Sequence, residues 1–247
     1  MNSFVALWKP GNNDLYWYTG LDGDEFVEKS NALHKKSYRI VSLDVDEELF
    51  TAIWKPGTFA QHWERFDSDE IEDRRKFWDK KGFRLAYMVR DDGDVTAVWE
   101  PGNTKEFYCY GLDFDEFKAL DKKHFDNGLR LNWIAVEDGP EFTAVWRPGN
   151  GAQFWYFTSE WEDFVQRNKN HKKNGLRLTC VDKVHEHGHY MGVVRPGNGD
   201  EFVDFMSFDA IVEKNKEMKK KGMELKVLRR LFYDDSGPFP DLEGLSH

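Results

Sequence analysis

The sequence predicts an α+β repeat protein: five strand-strand-helix-strand units forming a curved or closed barrel-like toroid with helices outside. Three registers predict it. Trp8-Lys9-Pro10-Gly11 recurs as Trp54-Lys55-Pro56-Gly57, Trp99-Glu100-Pro101-Gly102 and Trp146-Arg147-Pro148-Gly149, and a fifth copy, Val194-Arg195-Pro196-Gly197, lacks the Trp. Phe26, Ile71, Phe117, Phe164 and Ile211 each stand 11 residues before Ser37, Gly82, Gly128, Gly175 and Gly222. Arg39-Ile40, Arg84-Leu85, Arg130-Leu131 and Arg177-Leu178 follow at a fixed step, and the fifth copy reads Glu224-Leu225. Periods of this length mark repeat architectures. The units fall at about 1–46, 47–92, 93–139, 140–187 and 188–232, one domain of 1–232, with a C-terminal tail at 233–247 that is rich in Pro, Gly and Asp.

The first strand of each unit ends at the Trp. Phe4, Ala6 and Trp8 alternate onto one face, as do Phe50, Ala52 and Trp54. The middle position is always small (Ala6, Ala52, Ala97, Ala144, Gly192), so something large approaches the sheet there. Pro-Gly then reads as a turn with φ > 0 at the glycine, closing a hairpin within the unit. The second strand is aromatic, with Trp17, Trp63, Tyr108 and Trp155 nine residues after the Trp position.

The helix opens on acidic residues such as Asp113-Phe114-Asp115-Glu116 and closes on Lys or Asn followed by Gly, signals suited to its two ends. Its interior is polar, which predicts contact with the sheet by a narrow stripe. Short turns such as Asp91-Asp92-Gly93-Asp94 join the last strand to the next unit in a second hairpin. The fifth copy, without the Trp, the Arg and the second aromatic, reads as a terminal cap.

Gly82-Phe83-Arg84-Leu85, Gly128-Leu129-Arg130-Leu131 and Gly175-Leu176-Arg177-Leu178, with the step before each, resemble the bacterial tandem-repeat domain at the N-terminus of polyglycine hydrolases. The resemblance spans residues 1 to about 232; the Trp-x-Pro-Gly element departs from that pattern. It implies a fold and a binding role. In those proteins catalysis resides in a separate serine-hydrolase domain, and neither Gly-x-Ser-x-Gly nor Ser-x-x-Lys is present here.

Composition narrows the function classes. A net charge of −10 argues against a nucleic-acid partner, because such binding draws on Lys and Arg neutralising phosphates. No apolar run approaches a membrane span. Two cysteines, Cys109 and Cys180, at non-equivalent positions read as free thiols, and with no signal core legible the expectation is a cytoplasmic protein. No cofactor motif appears.

With 10 Trp, 9 Tyr and 20 Phe, the rings are either packed or offered to a ligand. Trp8, Trp54, Trp99 and Trp146 read as aromatic platforms or as repeat core. Trp17, Trp63, Tyr108 and Trp155 are candidates for a ligand-binding surface. Arg39, Arg84, Arg130 and Arg177 offer planar donors to an anionic ligand, or salt bridges to the acidic helix starts and turns. His185, His187 and His189 alternate in extended chain and are candidate ligands for Zn²⁺ or Cu²⁺. His62, His124, His171 and Cys109 are the residues to inspect for catalysis, with His124 and His171 sharing one helix position.

These features predict a ligand-binding repeat module for a small carbohydrate, peptide or cell-wall ligand, without catalytic machinery of its own. The alternatives are an enzyme with one active site in the ring centre or mouth, and a scaffold for a protein partner.

Overall fold

The computed structural model describes residues 3–91, 93–137, 141–183 and 189–231. In chain order the elements are β1 (Ser3–Pro10), β2 (Tyr16–Leu21), α1 (Gly23–Lys35), β3 (Tyr38–Asp46), β4 (Leu49–Pro56), β5 (His62–Asp67), α2 (Ile71–Lys80), β6 (Phe83–Asp91), β7 (Asp94–Pro101) and β8 (Phe107–Leu112). They continue with α3 (Phe114–Asp126), β9 (Leu129–Glu137), β10 (Glu141–Pro148), β11 (Phe154–Thr158), α4 (Trp161–Lys173), β12 (Leu176–Lys183), β13 (Tyr190–Pro196), β14 (Phe202–Ser207), α5 (Phe208–Lys220) and β15 (Met223–Leu231).

The strands form five separate three-stranded antiparallel sheets, ordered β2-β4-β3, β5-β7-β6, β8-β10-β9, β11-β13-β12 and β14-β1-β15. The hairpin between units is present, as β3-β4, β6-β7, β9-β10 and β12-β13. The hairpin expected inside each unit is not. The Trp strand is the central strand of one sheet, and the aromatic strand after it is the edge of the next. Trp-x-Pro-Gly therefore carries the chain between sheets.

The turn chemistry differs for the same reason. The Pro-Gly glycines are absent from the positive-φ positions of the described residues. Their N–H groups instead extend the ladder, as in Gly57 N–H to the Ser37 carbonyl (2.8 Å) and Gly149 N–H to the Gly128 carbonyl (3.0 Å). Glycine is needed for close approach: a Cβ at Gly149 would lie 2.8 Å from Arg130 Cγ, and one at Gly102 would lie 2.4 Å from Arg84 Cδ.

The helix C-termini follow expectation, and so do the N-termini of α1 and α3, whereas Glu70, Glu160 and Ser207 before α2, α4 and α5 make no side-chain cap. Asp22 with Glu25 and Asp113 with Glu116 form capping boxes. Gly82, Gly128, Gly175 and Gly222 adopt φ of 71–78°, and Ser37 takes the same left-handed place at φ 62°. Each helix buries a narrow stripe: Phe26, Ser30 and Leu33 on α1; Phe117, Asp121 and His124 on α3; Ile211 and Met218 on α5. Trp8, Trp54, Trp99 and Trp146 are all fully buried beneath these stripes. At the small central position the large neighbour is a ring: a Cβ at Gly192 would meet Tyr156 Cζ at 2.5 Å.

The fifth copy is not a cap. β1 enters between β14 and β15, pairing Phe4 with Met206 and Arg230, so the first strand completes the last sheet. The last strands of the sheets also touch in sequence, β3 to β6, β6 to β9, β9 to β12, β12 to β15 and β15 back to β3. No backbone ladder joins them, and no closed barrel is found among the described residues. Side chains serve the facing backbone groups instead. Trp133 Nε1 donates to the Met88 carbonyl (3.0 Å), and Arg229 Nη1 donates to the Leu43 carbonyl (2.8 Å). The Val136 N–H donates to Asp182 (3.0 Å) and the Arg230 N–H to Asp44 (2.9 Å).

Where these strands meet, the space is filled. Arg229, 1% exposed, pairs with Asp182 at 3.1 Å, and its guanidinium lies 4.4 Å from the Trp133 ring. Tyr87 packs edge-on against Trp133 at 4.9 Å, and Cys180 is buried beside them.

Candidate functional site in the inter-unit seams

Each helix faces the aromatic strand of the following sheet, and the rings nine residues after the Trp position lie in these seams. Trp17 on β2 packs 5.9 Å from Phe208 at the start of α5. Trp63 on β5 meets Phe26 of α1 edge-on at 4.8 Å. The Tyr108 hydroxyl on β8 donates to Glu72 of α2. Trp155 on β11 packs 5.3 Å from Phe117 and donates to Asp121 of α3 at 2.9 Å. Trp155 is buried; Trp17, Trp63 and Tyr108 are half-buried. All four rings therefore line joints between units.

One helix position governs how each joint closes. Four residues after the helix anchor stand Ser30, Arg75, Asp121, Asn168 and Asn215. At two of these positions the polar side chain meets the indole N–H of the central strand. Asp121 accepts from Trp146 (2.8 Å) as well as Trp155, and Asn215 accepts from Trp8 (3.0 Å). Ser30 is too short to do the same. Ser30 Oγ and Trp54 Nε1 are both buried without a hydrogen-bond partner. A buried polar group left in this state is costly unless something fills the space.

A cavity of about 240 Å³ lies there, lined by Ser30, Asn31, His34, Tyr38, Trp54 and His62, with Ile40, Gln61 and Trp63 completing its wall. No Asp, Glu, Lys or Arg is among these residues. Partial burial, with Arg39 and His62 nearby, holds His34 below the ordinary imidazole value. Partial burial and Lys81 do the same for His62, which also stacks on Trp78 at 4.4 Å. The lining is therefore uncharged at neutral pH.

The next seam also opens. A cleft of about 440 Å³ between α2 and β8 is lined by Glu72, Arg75, Lys105, Glu106, Tyr108 and Cys109, among others. It is charged. The Tyr108 hydrogen bond holds the Glu72 carboxyl below its usual range, and Arg75 pairs with Glu72 at 3.3 Å and Asp79 at 3.0 Å. Trp99 Nε1, whose helix partner position is Arg75, is likewise buried without a partner.

The arginines are clamps on the main chain. Arg130 Nε donates to the Gly151 carbonyl (2.8 Å), and its Nη1 reaches the carbonyls of Phe125 (3.2 Å) and Leu129 (2.6 Å). Arg39 makes the same set with Phe59, His34 and Tyr38, and Arg177 with Gly199, Lys172 and Leu176. Arg84 donates to Thr104 Oγ1 at 2.5 Å. In place of the expected salt bridges to acidic helix starts and turns, Arg39, Arg130 and Arg177 each bond a carbonyl in the last turn of the helix before them, one that also accepts a backbone N–H.

Glu224 inverts the clamp. It accepts from the Asn13 N–H (3.0 Å) and Nδ2 (2.7 Å), so a carboxylate holds the loop by its donors. Burial pushes this carboxyl up, but the bonds from Lys226 and Asn13 outweigh it and hold the group at about 2.

A further set of residues was missed in the sequence and emerges from the structure. Every third strand carries a bulge just after its Ile or Leu, as between Ile40 and Ser42 or Leu178 and Cys180. The N–H freed there is taken by the residue seven after the Trp position: Gln61 for Ile40 (2.8 Å), Gln153 for Leu131 (2.9 Å), Glu106 for Leu85 (3.2 Å) and Glu201 for Leu178 (3.0 Å). The recurrence of Gln or Glu before the aromatic strand was the available signal.

The remaining candidates are dispersed. His124 packs 4.9 Å from both Phe107 and Trp146, and His171 stacks on Tyr156 at 5.2 Å. Cys109 and Cys180 are buried thiols not joined in a disulfide, and burial pushes the Cys180 thiol up. His185 and His187 lie outside the described residues, while His189 is buried and stacks on Phe157 at 5.0 Å. No group of three His, Cys, Asp or Glu side chains fit to hold a metal occurs among the described residues. No described helix is long and apolar enough to cross a membrane.

A family model described as the polyglycine hydrolase-like structural repeat matches residues 13–56. That span holds β2, α1, β3 and β4, one whole sheet with its helix, and the cavity's Ser30 and Trp54 both fall within it. The resemblance to the repeat domain of polyglycine hydrolases is thus shown over one structural unit, and the same pairing pattern recurs in the other four sheets. No curated protein matches the chain.

Proposed function

We propose that this chain is a ligand-binding repeat module in which five sheets close into a toroid and the ligand occupies a seam between a helix and the following aromatic strand. Closure is supported by β1 completing the last sheet and by the contact of β15 with β3. The observation that carries the binding reading is the α1–β5 cavity, whose wall includes Trp54 and Ser30, each with a buried polar atom left unpaired, where the equivalent Trp146 and Asp121 bond to each other.

The test is a thermal-shift panel of sugars, cell-wall fragments, short peptides, nucleotides and divalent metals. A ligand that binds only the folded state raises the melting temperature. The reading expects a shift with one ligand class that is lost in Trp63→Ala and kept in His171→Ala, which lies in another seam. A flat panel, or a shift indifferent to Trp63, counts against it.

Catalysis at the centre is not favoured, since Tyr87, Trp133, Cys180 and Arg229 occupy it. A protein-docking role draws support from exposed Phe59 and Phe77, but Arg39 and Lys81 already lie over those rings.

A further inference from the structure

Resting on the binding reading above, we infer that the α1–β5 cavity takes a neutral, polyhydroxylated ring of monosaccharide size. Four observations point to this class. The lining holds no ionised group, in a chain whose residues are 32% charged, so neither an anion nor a cation would find a countercharge there. The two buried orphans are a donor, Trp54 Nε1, and a hydroxyl that both donates and accepts, Ser30 Oγ. Neither atom is open to solvent in the empty cavity, so pairing them takes a small shift of the wall, which a hydroxyl-bearing ligand rewards and an apolar ligand does not. Trp54, Trp63 and Tyr38 place three aromatic rings in the wall, giving the C–H face of a sugar ring a surface to cover.

The volume fits as well. About 240 Å³ lies below the roughly 300 Å³ at which pockets for drug-sized ligands begin. Gln61 is not free to take part, since both ends of its amide are engaged by Ile40. Asn31, His34 and His62 remain as polar groups in the lining, and both imidazoles are held neutral at pH 7 by their lowered affinity for protons. Protonating them at acid pH would make the cavity cationic, so affinity for a neutral ring should weaken as pH falls below the ordinary imidazole range.

Two other seams show the closed alternative, and the α2–β8 cleft, also open, differs in being charged. Where Asp121 or Asn215 stands in place of Ser30, the indole is satisfied from within. Ser30→Asn therefore rebuilds inside the cavity the bond that Asn215 makes to Trp8.

The experiment is calorimetric titration, with tryptophan emission as a second readout, of wild type and Ser30→Asn. The probes are glucose, galactose, mannose and N-acetylglucosamine, with glucuronate and glucosamine as charged counterparts. The expected result is binding of at least one neutral sugar, about tenfold or more tighter than either charged probe and abolished by Ser30→Asn. The variant should meanwhile melt about 2–4 °C higher than wild type, which shows that the loss is not misfolding. If glucuronate or glucosamine binds as well as the neutral sugars and Ser30→Asn removes it, the neutral class is overturned and the binding site stands. If no probe binds while Ser30→Asn still stabilises the protein, the cavity is a packing gap and both readings fall.

Discussion

The α1–β5 and α3–β11 seams are built from the same parts and end in opposite states. In both, a helix lays its anchor Phe under the neighbouring strand, with Phe26 against Trp63 and Phe117 against Trp155. In both, the central Trp is buried. The lining differs at several places, with Asn31, His34, Tyr38 and His62 standing where Lys122, Phe125, Leu129 and Phe154 stand, and the difference that touches the indole is Ser30 against Asp121. Asp121 gathers two indole N–H groups and its Trp155 is 3% exposed. Ser30 gathers none, and the joint opens into a cavity. In a repeat protein, specialising a site can therefore include withdrawing a bond that two other copies keep.

The sharpest way to break the contrast is Asp121→Ala, which strands two buried donors. We expect a loss of roughly 2–5 kcal/mol, read from chemical denaturation, and a Trp146 and Trp155 emission shift. A cost below that would mean the indoles find water as the Trp54 cavity permits. Next comes Gly149→Ala, whose added methyl meets Arg130 Cγ at 2.8 Å and displaces the clamp; about 1–3 kcal/mol should be lost. Gly82→Ala is the control for φ alone, since nothing lies within 4 Å of its Cβ.

Ser30→Asn runs the comparison in reverse and should gain about 1 kcal/mol in the same denaturation assay, one net hydrogen bond. The remaining prediction, a dependence on pH, concerns Glu224. Its folded carboxyl sits at about 2, below the ordinary 4.5, so its contribution is present above pH 4.5 and is lost as pH falls towards 2. Glu224→Gln should therefore flatten the acid limb of the stability–pH curve and leave the curve above pH 5 nearly parallel to wild type.

Much of this was legible in the residues. The 11-residue step from Phe117 to Gly128 marked both the buried anchor and the left-handed helix end, because a helix needs a core contact and a terminator at fixed spacing. Alternation in Phe50, Ala52 and Trp54 marked a strand. What alternation does not encode is the partner. Trp54 was placed in a hairpin with its own unit's aromatic strand, yet β4 pairs with β2 and β3, which precede it. Pro56-Gly57 misled because proline-glycine serves a tight turn and a close backbone approach equally well. The site was half visible. Trp63 stood out as an aromatic, but Ser30 carried no signal alone; its meaning comes from the Asp121 and Asn215 that hold the same place elsewhere.

The insertion of β1 between β14 and β15 has a temporal consequence. Phe4, Val5, Leu7 and Trp8 are synthesised roughly 200 residues before β14 and β15, the strands that flank them. At about 5–20 residues per second, the roughly 200 residues between them take about 10–40 s to synthesise. For that interval the apolar strand has no sheet to enter, and the four complete sheets downstream can form before it is needed. A permuted chain that begins at β2 and carries β1 after β15 would remove the wait and convert the longest-range pairing into a local one, so it should refold faster while reaching the same native stability.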